Sequence, residues 1–337
     1  MMVEAVRRPS VSARQVAERA GVSRSAVSRT FTDGASVSAE TRDKVLRAAA
    51  DLGYHVNHLA RGLLRHESGI VCLVASGIAS PFQAAMLDGI TAALQDAGRI
   101  AMVLNSAGDP ASLEAALRTT LNYRAEASVI LSGSPPASVV AACLANGQRL
   151  VLVNRSERIE GVASVAVDNA AAARDAVAML ARAGCRAVAV VSSTAGTASL
   201  VAREQAFLRE SALRGLKAIV HRAGPTGYAT GSAAARTLLA GADRPDAAFC
   251  VTDLLALGFM DAARREFGLR VPDDLCVIGF DDIEQAGWAA YQLTTFRQPI
   301  PELAARILQA IDGGTDAPTG PVHARPVWRR SVRAAAG

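Results

Sequence analysis

Two regimes of apolar spacing divide the chain. Up to about residue 55 the apolar positions recur every three to four residues, the helical period, and from Gly69 onward they gather into short runs separated by amphipathic stretches. Ser12 opens the first helix with Gln15 three residues on, the capping-box spacing, and Val16, Ala17 and Ala20 share its inner face. Gly21 supplies the turn and Ser23 caps a second helix running to about Arg29, with Ala26 and Val27 directed inward. Its opposite face carries Arg24, Ser25, Ser28 and Arg29, guanidinium groups separated by short hydroxyls, a composition suited to phosphates and base edges. Ser38 caps a third helix that carries Glu40 in its first turn, has Val45, Leu46, Ala49 and Leu52 as its buried stripe, and ends at Gly53. The pattern predicts a helix-turn-helix with its reading helix at 23–30, the alternative being a helical hairpin with a solvated charged face.

The second regime predicts strands near 70–75, 100–104, 127–131, 149–153, 163–167, 186–191, 217–221, 246–251, 275–280 and 293–296. Helices are predicted between most of them, at 83–97, 110–122, 136–146, 169–183, 199–214, 228–240 and 254–267. Short apolar strands alternating with helices imply parallel sheets covered on both faces. So many strands exceed one compact unit of this type, and two α/β subdomains with a ligand cleft between them fit better. The expected boundaries are an arm at 1–11, a headpiece at 12–56, a connector at 57–68 and a body at 69–337. Within the body, 69–160 would combine with 291–320, and 161–290 with 321–337.

Charge sharpens this division. Residues 1–68 hold 11 Lys and Arg against 7 Asp and Glu, a net +4, whereas the remainder holds 25 against 24, a net +1. A basic module on a near-neutral body is the expected distribution for a nucleic-acid binder. The five cysteines, Cys72, Cys143, Cys185, Cys250 and Cys276, form no C-x-x-C pair and sit mostly in apolar runs, as reduced core residues would. No apolar run reaches membrane-spanning length and the first residues lack an apolar secretion segment, so a cytoplasmic protein without a membrane partner is expected. G-x-G-x-x-G, G-x-S-x-G and H-E-x-x-H are absent, and neither Lys44 nor Lys217 lies in a Gly-rich loop. No catalytic residue, metal site or cofactor is expected, and the rival readings, an enzyme or a transporter's solute-binding protein, lack their signatures.

In the order they occur, QVAERAGVS and AVSR, then VSAETRDKVLRAAADLGY, then NHLARGL resemble the headpiece and connector of the lactose/galactose-repressor (LacI/GalR) family. The resemblance implies a regulator that binds double-stranded operator DNA, a pseudo-palindrome, as a homodimer, with a sugar-binding-protein-like body that takes a small-molecule effector. The C-terminal PVWRRSVRAAAG has no leucine heptads, so a coiled-coil tetramer is not indicated. The family's DNA-contacting positions fall on Ser12, Ser23, Arg24, Ser25, Ala26, Ser28 and Arg29, with Ala26 in place of a usual Thr. In the connector they fall on Asn57, Ala60, Arg61 and Leu63, where Leu63 is either a minor-groove wedge or a junction residue. Arg7 and Arg8 of the arm are further backbone candidates.

Ligands of open α/β sheets sit beyond the carboxyl ends of the strands. Asn154 and Arg155 follow RLVLV, Thr252 and Asp253 follow AFCV, Asp281 and Asp282 follow CVIGF, and Arg203 lies early in a helix in the pattern R-x-x-A-F. By resemblance, Asp281 and Arg203 are polar effector contacts and Phe82 packs on the ligand. Asn154 stands where relatives have Asp, Thr252 where Asn is common, Thr226 where an aromatic often stacks on a sugar, and Ala206 where Gly is usual. These departures, with Arg155 beside Arg203, suit a sugar acid or related small carboxylate as well as a sugar. Asp168, Asp253 and Asp282 are read as caps or loop braces, and Asp281 and Asp282 as too divergent in direction for an acid–base pair.

Overall fold

A computed structural model describes residues 11–32, 34–55, 68–155, 159–313 and 320–334. Arg7, Arg8, Asn57, Ala60, Arg61 and Leu63 lie outside the described residues. The chain forms two compact units, 1–68 and 69–337.

The first unit is a three-helix headpiece: α1 (Ala13–Ala20), α2 (Arg24–Thr30) and α3 (Ala39–Leu52). The capping box forms as the spacing predicts, with the Ser12 hydroxyl accepting from the Gln15 backbone N–H while Gln15 Oε1 accepts from the Ser12 N–H at 2.8 Å. Gly21 and Gly53 end α1 and α3 in the left-handed conformation, at φ 65° and 66°, where a side chain would be strained. Val16, Ala17, Val27, Val45, Ala48 and Ala49 make the core. Leu46, expected in that core, is 45% exposed. The buried face of α3 follows 45, 48, 49 and 52, and residue 46 is rotated about 100° from its centre.

The second unit contains two lobes. The first lobe holds β1 (Ile70–Ala75), α4 (Pro81–Asp96), β2 (Ile100–Asn105), α5 (Pro110–Asn122), β3 (Ala127–Ile130), α6 (Ala137–Ala145), β4 (Arg149–Val153) and β5 (Ala163–Val165). Its five strands are parallel in the order β2-β1-β3-β4-β5. The second holds α7 (Asn169–Arg182), β6 (Ala187–Ser192), α8 (Ala198–Leu213), β7 (Lys217–Arg222), α9 (Tyr228–Leu239), β8 (Ala247–Cys250), α10 (Asp253–Phe267) and β9 (Cys276–Ile278), with parallel order β7-β6-β8-β9. The inner strands β1, β3 and β8 are buried along their whole length and β6 from its second residue on, while β2 and β7 are edge strands with partial exposure.

The chain passes between lobes near residues 166–168, near 298–299 and again near 320–324. β5 completes the first sheet, so the first passage falls later than 160, and Thr294 and Arg297 bridge Ile278 and Asp281, which keeps β10 (Thr295–Arg297) with the second lobe rather than the first. α11 (Ile300–Gly313) returns to pack on α4, β4 and β5. Val322 then bridges Val167, and β11 (Arg325–Val327) pairs antiparallel with β10. The strand periodicity does not predict α11 or β11: no helix is assigned after 267 and no strand after 296, although α11 has a strongly one-sided apolar face.

In the second lobe α9 and α10 approach backbone to backbone. A Cβ on Gly231 would lie 2.0 Å from the Leu255 carbonyl oxygen, and one on Gly258 would lie 1.9 Å from that of Tyr228. Phe207 and Phe249 stack at 5.1 Å in the adjoining core. Gly258→Ala is expected to force these helices apart and lower stability by about 1–3 kcal/mol or more, read as a fall in the urea midpoint, whereas Gly241→Ala, at a position with open space, should leave it unchanged.

Candidate DNA interface and effector cleft

Two sites emerge, one in each unit. In the headpiece, the Ser23 hydroxyl caps α2 by accepting from the Ala26 N–H at 3.2 Å and shares a 2.8 Å hydrogen bond with Ser25 Oγ. Arg24, Ser25, Ser28 and Arg29 are all exposed on one side of α2. The headpiece's other described cations are mostly committed: Arg14 to Glu18, Arg19 to Asp51, Lys44 to Glu40, and Arg42 to the Thr30 carbonyl at 3.1 Å. Among the described residues Arg24 and Arg29 have no ion-pair partner, so the reading helix carries uncompensated positive charge, with Arg47 of α3 a further exposed cation of this kind. Ala26 is only 8% exposed and faces the interior, where its N–H and carbonyl serve Ser23 and Thr30. Its inward direction is the one expected from the sequence, and where relatives carry a Thr it presents a methyl with no hydroxyl for a phosphate. Ser12, likewise expected at the DNA, spends its hydroxyl on the capping box.

In the body, a cavity of about 630 Å³ lies between the lobes at the carboxyl ends of both sheets. All seven predicted effector residues line it: Phe82, Asn154, Arg155, Arg203, Thr226, Thr252 and Asp281. In each sheet the first strand lies between the next two in sequence, β1 between β2 and β3 and β6 between β7 and β8, so the connections leave it in opposite directions, and ligands collect at that switch. Ser76 and Ser132 follow β1 and β3 at the switch of the first sheet, and Thr252 follows β8 at that of the second.

Arg203 is the centre of the wall. It is 3% exposed, and its Nε donates to Asn169 Oδ1 at 2.8 Å and its Nη1 to the Val251 carbonyl at 2.7 Å. Its Cζ stacks 3.4 Å from the centroid of Phe280, and Nη1 lies 4.0 Å from Asp281 Oδ1. Burial lowers its pKa to about 10 against the charges of Asp281 and Asp253, so it remains a cation at neutral pH. Burial raises Asp281 to about 7, opposed by Arg203, and Asp281 accepts from Gln298 Nε2 at 2.7 Å. Its φ of 121° is a strained value for a residue with a side chain, held where the chain leaves β9 towards the passage between lobes.

The neighbouring carboxylates have structural work. Asp253, fully buried and raised to about 6 by that burial, accepts from the Thr295 hydroxyl at 2.5 Å and the Ile283 N–H at 2.9 Å. Asp282 pairs with Arg297 and Arg329, each at 2.6 Å, on a course divergent from Asp281. Asp168 caps α7 through the Ala171 N–H. Asn154, at φ 58°, accepts from the Val167 N–H at 3.1 Å and so braces a passage between lobes, Arg155 Nη1 donates to Ser134 Oγ at 3.0 Å, and Thr226 shares a 2.6 Å hydrogen bond with Ser193. Gln298, Gln83 and Ser132 are the polar partners that motif matching misses, and Asn169, beside Asp168, is one that the sequence leaves between ligand contact and helix cap. Gln298 lies in a segment without periodicity.

With this geometry in place, comparison with known proteins is decisive. Residues 13–57 match the model described as bacterial regulatory proteins, lacI family, and residues 177–332 match a periplasmic binding protein-like domain. The HTH-type transcriptional regulator CelR of Thermobifida fusca is 30% identical over 329 residues, covering 94% of this chain and 96% of that one. The chain belongs to the lacI family. Among solved structures, the Lac repressor dimer bound to operator and the anti-inducer ONPF matches with a TM-score of 0.86 at 24% identity, covering 96% of this chain and 99% of that one, a likeness of fold. A CelR–cellobiose complex matches with a TM-score of 0.69 at 28% identity, covering 96% and 100%. This lacI-family chain is thus a DNA-binding transcriptional regulator, and the curated relatives are regulators rather than enzymes.

One pH effect follows from the cleft. A carboxyl group whose pKa is raised on folding takes up a proton between its unfolded and folded values, so stability is greatest at the acid end of that window and falls as pH rises from about 4 towards 7. Asp281→Asn should flatten this part of the profile, and melting temperatures across pH 4–8 should show a smaller decline in the variant than in the parent.

Proposed function

We propose that this regulator is a cytoplasmic homodimer whose two headpieces bind the half-sites of a pseudo-palindromic operator, repress transcription, and respond to a small polyhydroxylated carboxylate such as a sugar acid. The observation carrying the ligand class is the charge of the cavity. Among the described residues its charged lining consists of Arg155, Arg203 and Asp281, two guanidinium groups against one carboxyl that burial keeps partly protonated at neutral pH. Arg203 Nη2 has no partner among the described residues, and beside Asp281 it offers an adjacent donor and acceptor, a match for a hydroxyl next to a carboxylate.

Hydroxyl groups of Ser76, Ser80, Ser132, Ser134, Ser199 and Thr226 ring the cavity, while Phe82 is the one aromatic ring in the described lining. A single ring favours a small polar ligand over an extended sugar, in contrast to the disaccharide in the related CelR complex. Closure of the lobes on the ligand would alter the spacing of the two connectors and so the operator affinity. No helix among the described residues is long and apolar enough to cross a membrane, which agrees with a cytoplasmic DNA-binding role.

Thermal shift with matched panels tests the ligand class: aldonic and uronic acids should raise the melting temperature, by the shift corresponding to about 2.7 kcal/mol at a hundredfold excess over Kd, and Arg155→Ala should reduce it. A response confined to neutral sugars would defeat this reading. For the DNA face, selection of sites from a randomised duplex pool should return a palindrome. Arg29→Ala should then lose about 1–3 kcal/mol of discrimination between that site and random DNA, and Arg24→Ala should change the bases preferred. Equal losses on specific and random duplexes would reduce both residues to phosphate contacts.

A further inference from the structure

We propose that Cys185 and Cys276 form a reversible intramolecular disulfide on reaction with a hydroperoxide, a modification site distinct from both the DNA face and the effector cleft. All five cysteines are reduced and buried, but these two differ from the rest in that the sulfurs of both accept hydrogen bonds from one residue, Arg333. Cys185 follows α7 and Cys276 begins β9, so the fold brings together two thiols from distant parts of the second lobe.

A single residue, Arg333, closes over both sulfurs. Its backbone N–H donates to Cys276 Sγ at 3.5 Å and its Nη2 to Cys185 Sγ at 3.2 Å. The rest of its guanidinium is held by carbonyl oxygens of Ala183 at 3.3 Å, Pro272 at 2.9 Å and Asp273 at 3.0 Å. Arg333 is itself only partly buried, so its side chain is the layer between the thiols and solvent.

The environment distinguishes the two sulfurs. The hydrogen bond from Cys185, together with the N–H and the positive charge of Arg333, lowers Cys276 to about 7 in spite of burial and of Asp246, while the same hydrogen bond and burial push Cys185 upward. While Cys276 keeps its proton, the Pro272 carbonyl, 3.8 Å from its sulfur, can accept it. Cys276, which accepts the Arg333 backbone N–H, serves as the attacking sulfur and Cys185 as the resolving one. Burial alone acts on Cys72, which it pushes up to about 12, and dominates at Cys143 and Cys250, and none of these three has a hydrogen bond at sulfur among the described residues.

The chemistry balances with hydrogen peroxide as oxidant. The Cys276 thiolate attacks one peroxide oxygen, a sulfur–oxygen bond forms as the oxygen–oxygen bond breaks, and the departing hydroxide takes a proton to become water. The Cys185 sulfur then attacks the Cys276 sulfenic acid, the sulfur–sulfur bond forms as the sulfur–oxygen bond breaks, and the second water leaves with the Cys185 proton. Two thiols are oxidised, one peroxide is reduced to two waters, and a dithiol reductant reverses the change.

The test uses the full chain. Native protein is treated with hydrogen peroxide, its remaining thiols are blocked under denaturing conditions, and a non-reduced tryptic digest is analysed by mass spectrometry. The expected product links the peptide 183–186 to the peptide 271–297, titratable thiols fall from five to three, and reductant restores all five. In Cys185→Ser the sulfenic acid should persist on Cys276 and be trapped by dimedone, whereas Cys276→Ser should show neither linkage nor trapping. Absence of the linked pair, linkage spread evenly among other cysteines, or over-oxidation of Cys276 without linkage in the parent protein would overturn the proposal, and the parent measurement stands even if a variant folds poorly.

Discussion

A guanidinium group taken out of water must find its solvation inside the protein, and Arg203 sets that requirement for the whole effector-binding body. Its four partners come from three places: Asn169 at the start of α7, Val251 at the end of β8, and Phe280 and Asp281 at the end of β9. None of these positions can drift without leaving a buried cation under-solvated, so one charge fixes the relative placement of the strand ends that form the floor of the cleft. The strained backbone at Asp281 is held by the same arrangement, since Gln298 grips its carboxyl from the passage between lobes. A cleft built this way is formed before any ligand enters it.

The repeated strand order extends that argument from a residue to the architecture. Each lobe reverses its connection beside a central buried strand, opening a crevice at the carboxyl end of its sheet. Placing the crevices face to face produces one cavity lined by serine and threonine hydroxyls from both lobes. The three passages between lobes are braced by polar side chains near their ends, Asn154 at the first, Asp253 and Asp282 at the second, and Arg329 just past β11. The residues that hold the lobes together are thus close neighbours of those that would hold a ligand.

Much of this was legible in the sequence because local rules agree with the fold. The Ser12–Gln15 capping box, the glycine stops at Gly21 and Gly53, and the apolar runs of β1 and β6 are set by nearest neighbours and by burial on both faces. The seven cleft residues were found by looking past strand ends and by resemblance, and all line the cavity. What escaped depends on contacts distant in sequence. Asn169 acquires its role only because α8 brings Arg203 against it, Cys185 and Cys276 come to share Arg333 only once β9 lies beside the end of α7, and β11 is a strand only because β10 is there to receive it. Leu46 departs from its expected place for a simpler reason, since a turn of 100° per residue separates the buried stripe from the exposed one within a single step.

The return of α11 to the first lobe has a consequence for how the chain is made. Synthesis proceeds from the amino end, so β1 to β5 leave the ribosome first, yet the helix that covers α4, β4 and β5 is encoded at 300–313, after every strand of the second sheet. The lobe translated first is therefore completed last, and its apolar surface waits through the synthesis of an entire second lobe. During that interval the nascent chain offers chaperones a defined client surface, and a message truncated before α11 would leave that surface uncovered.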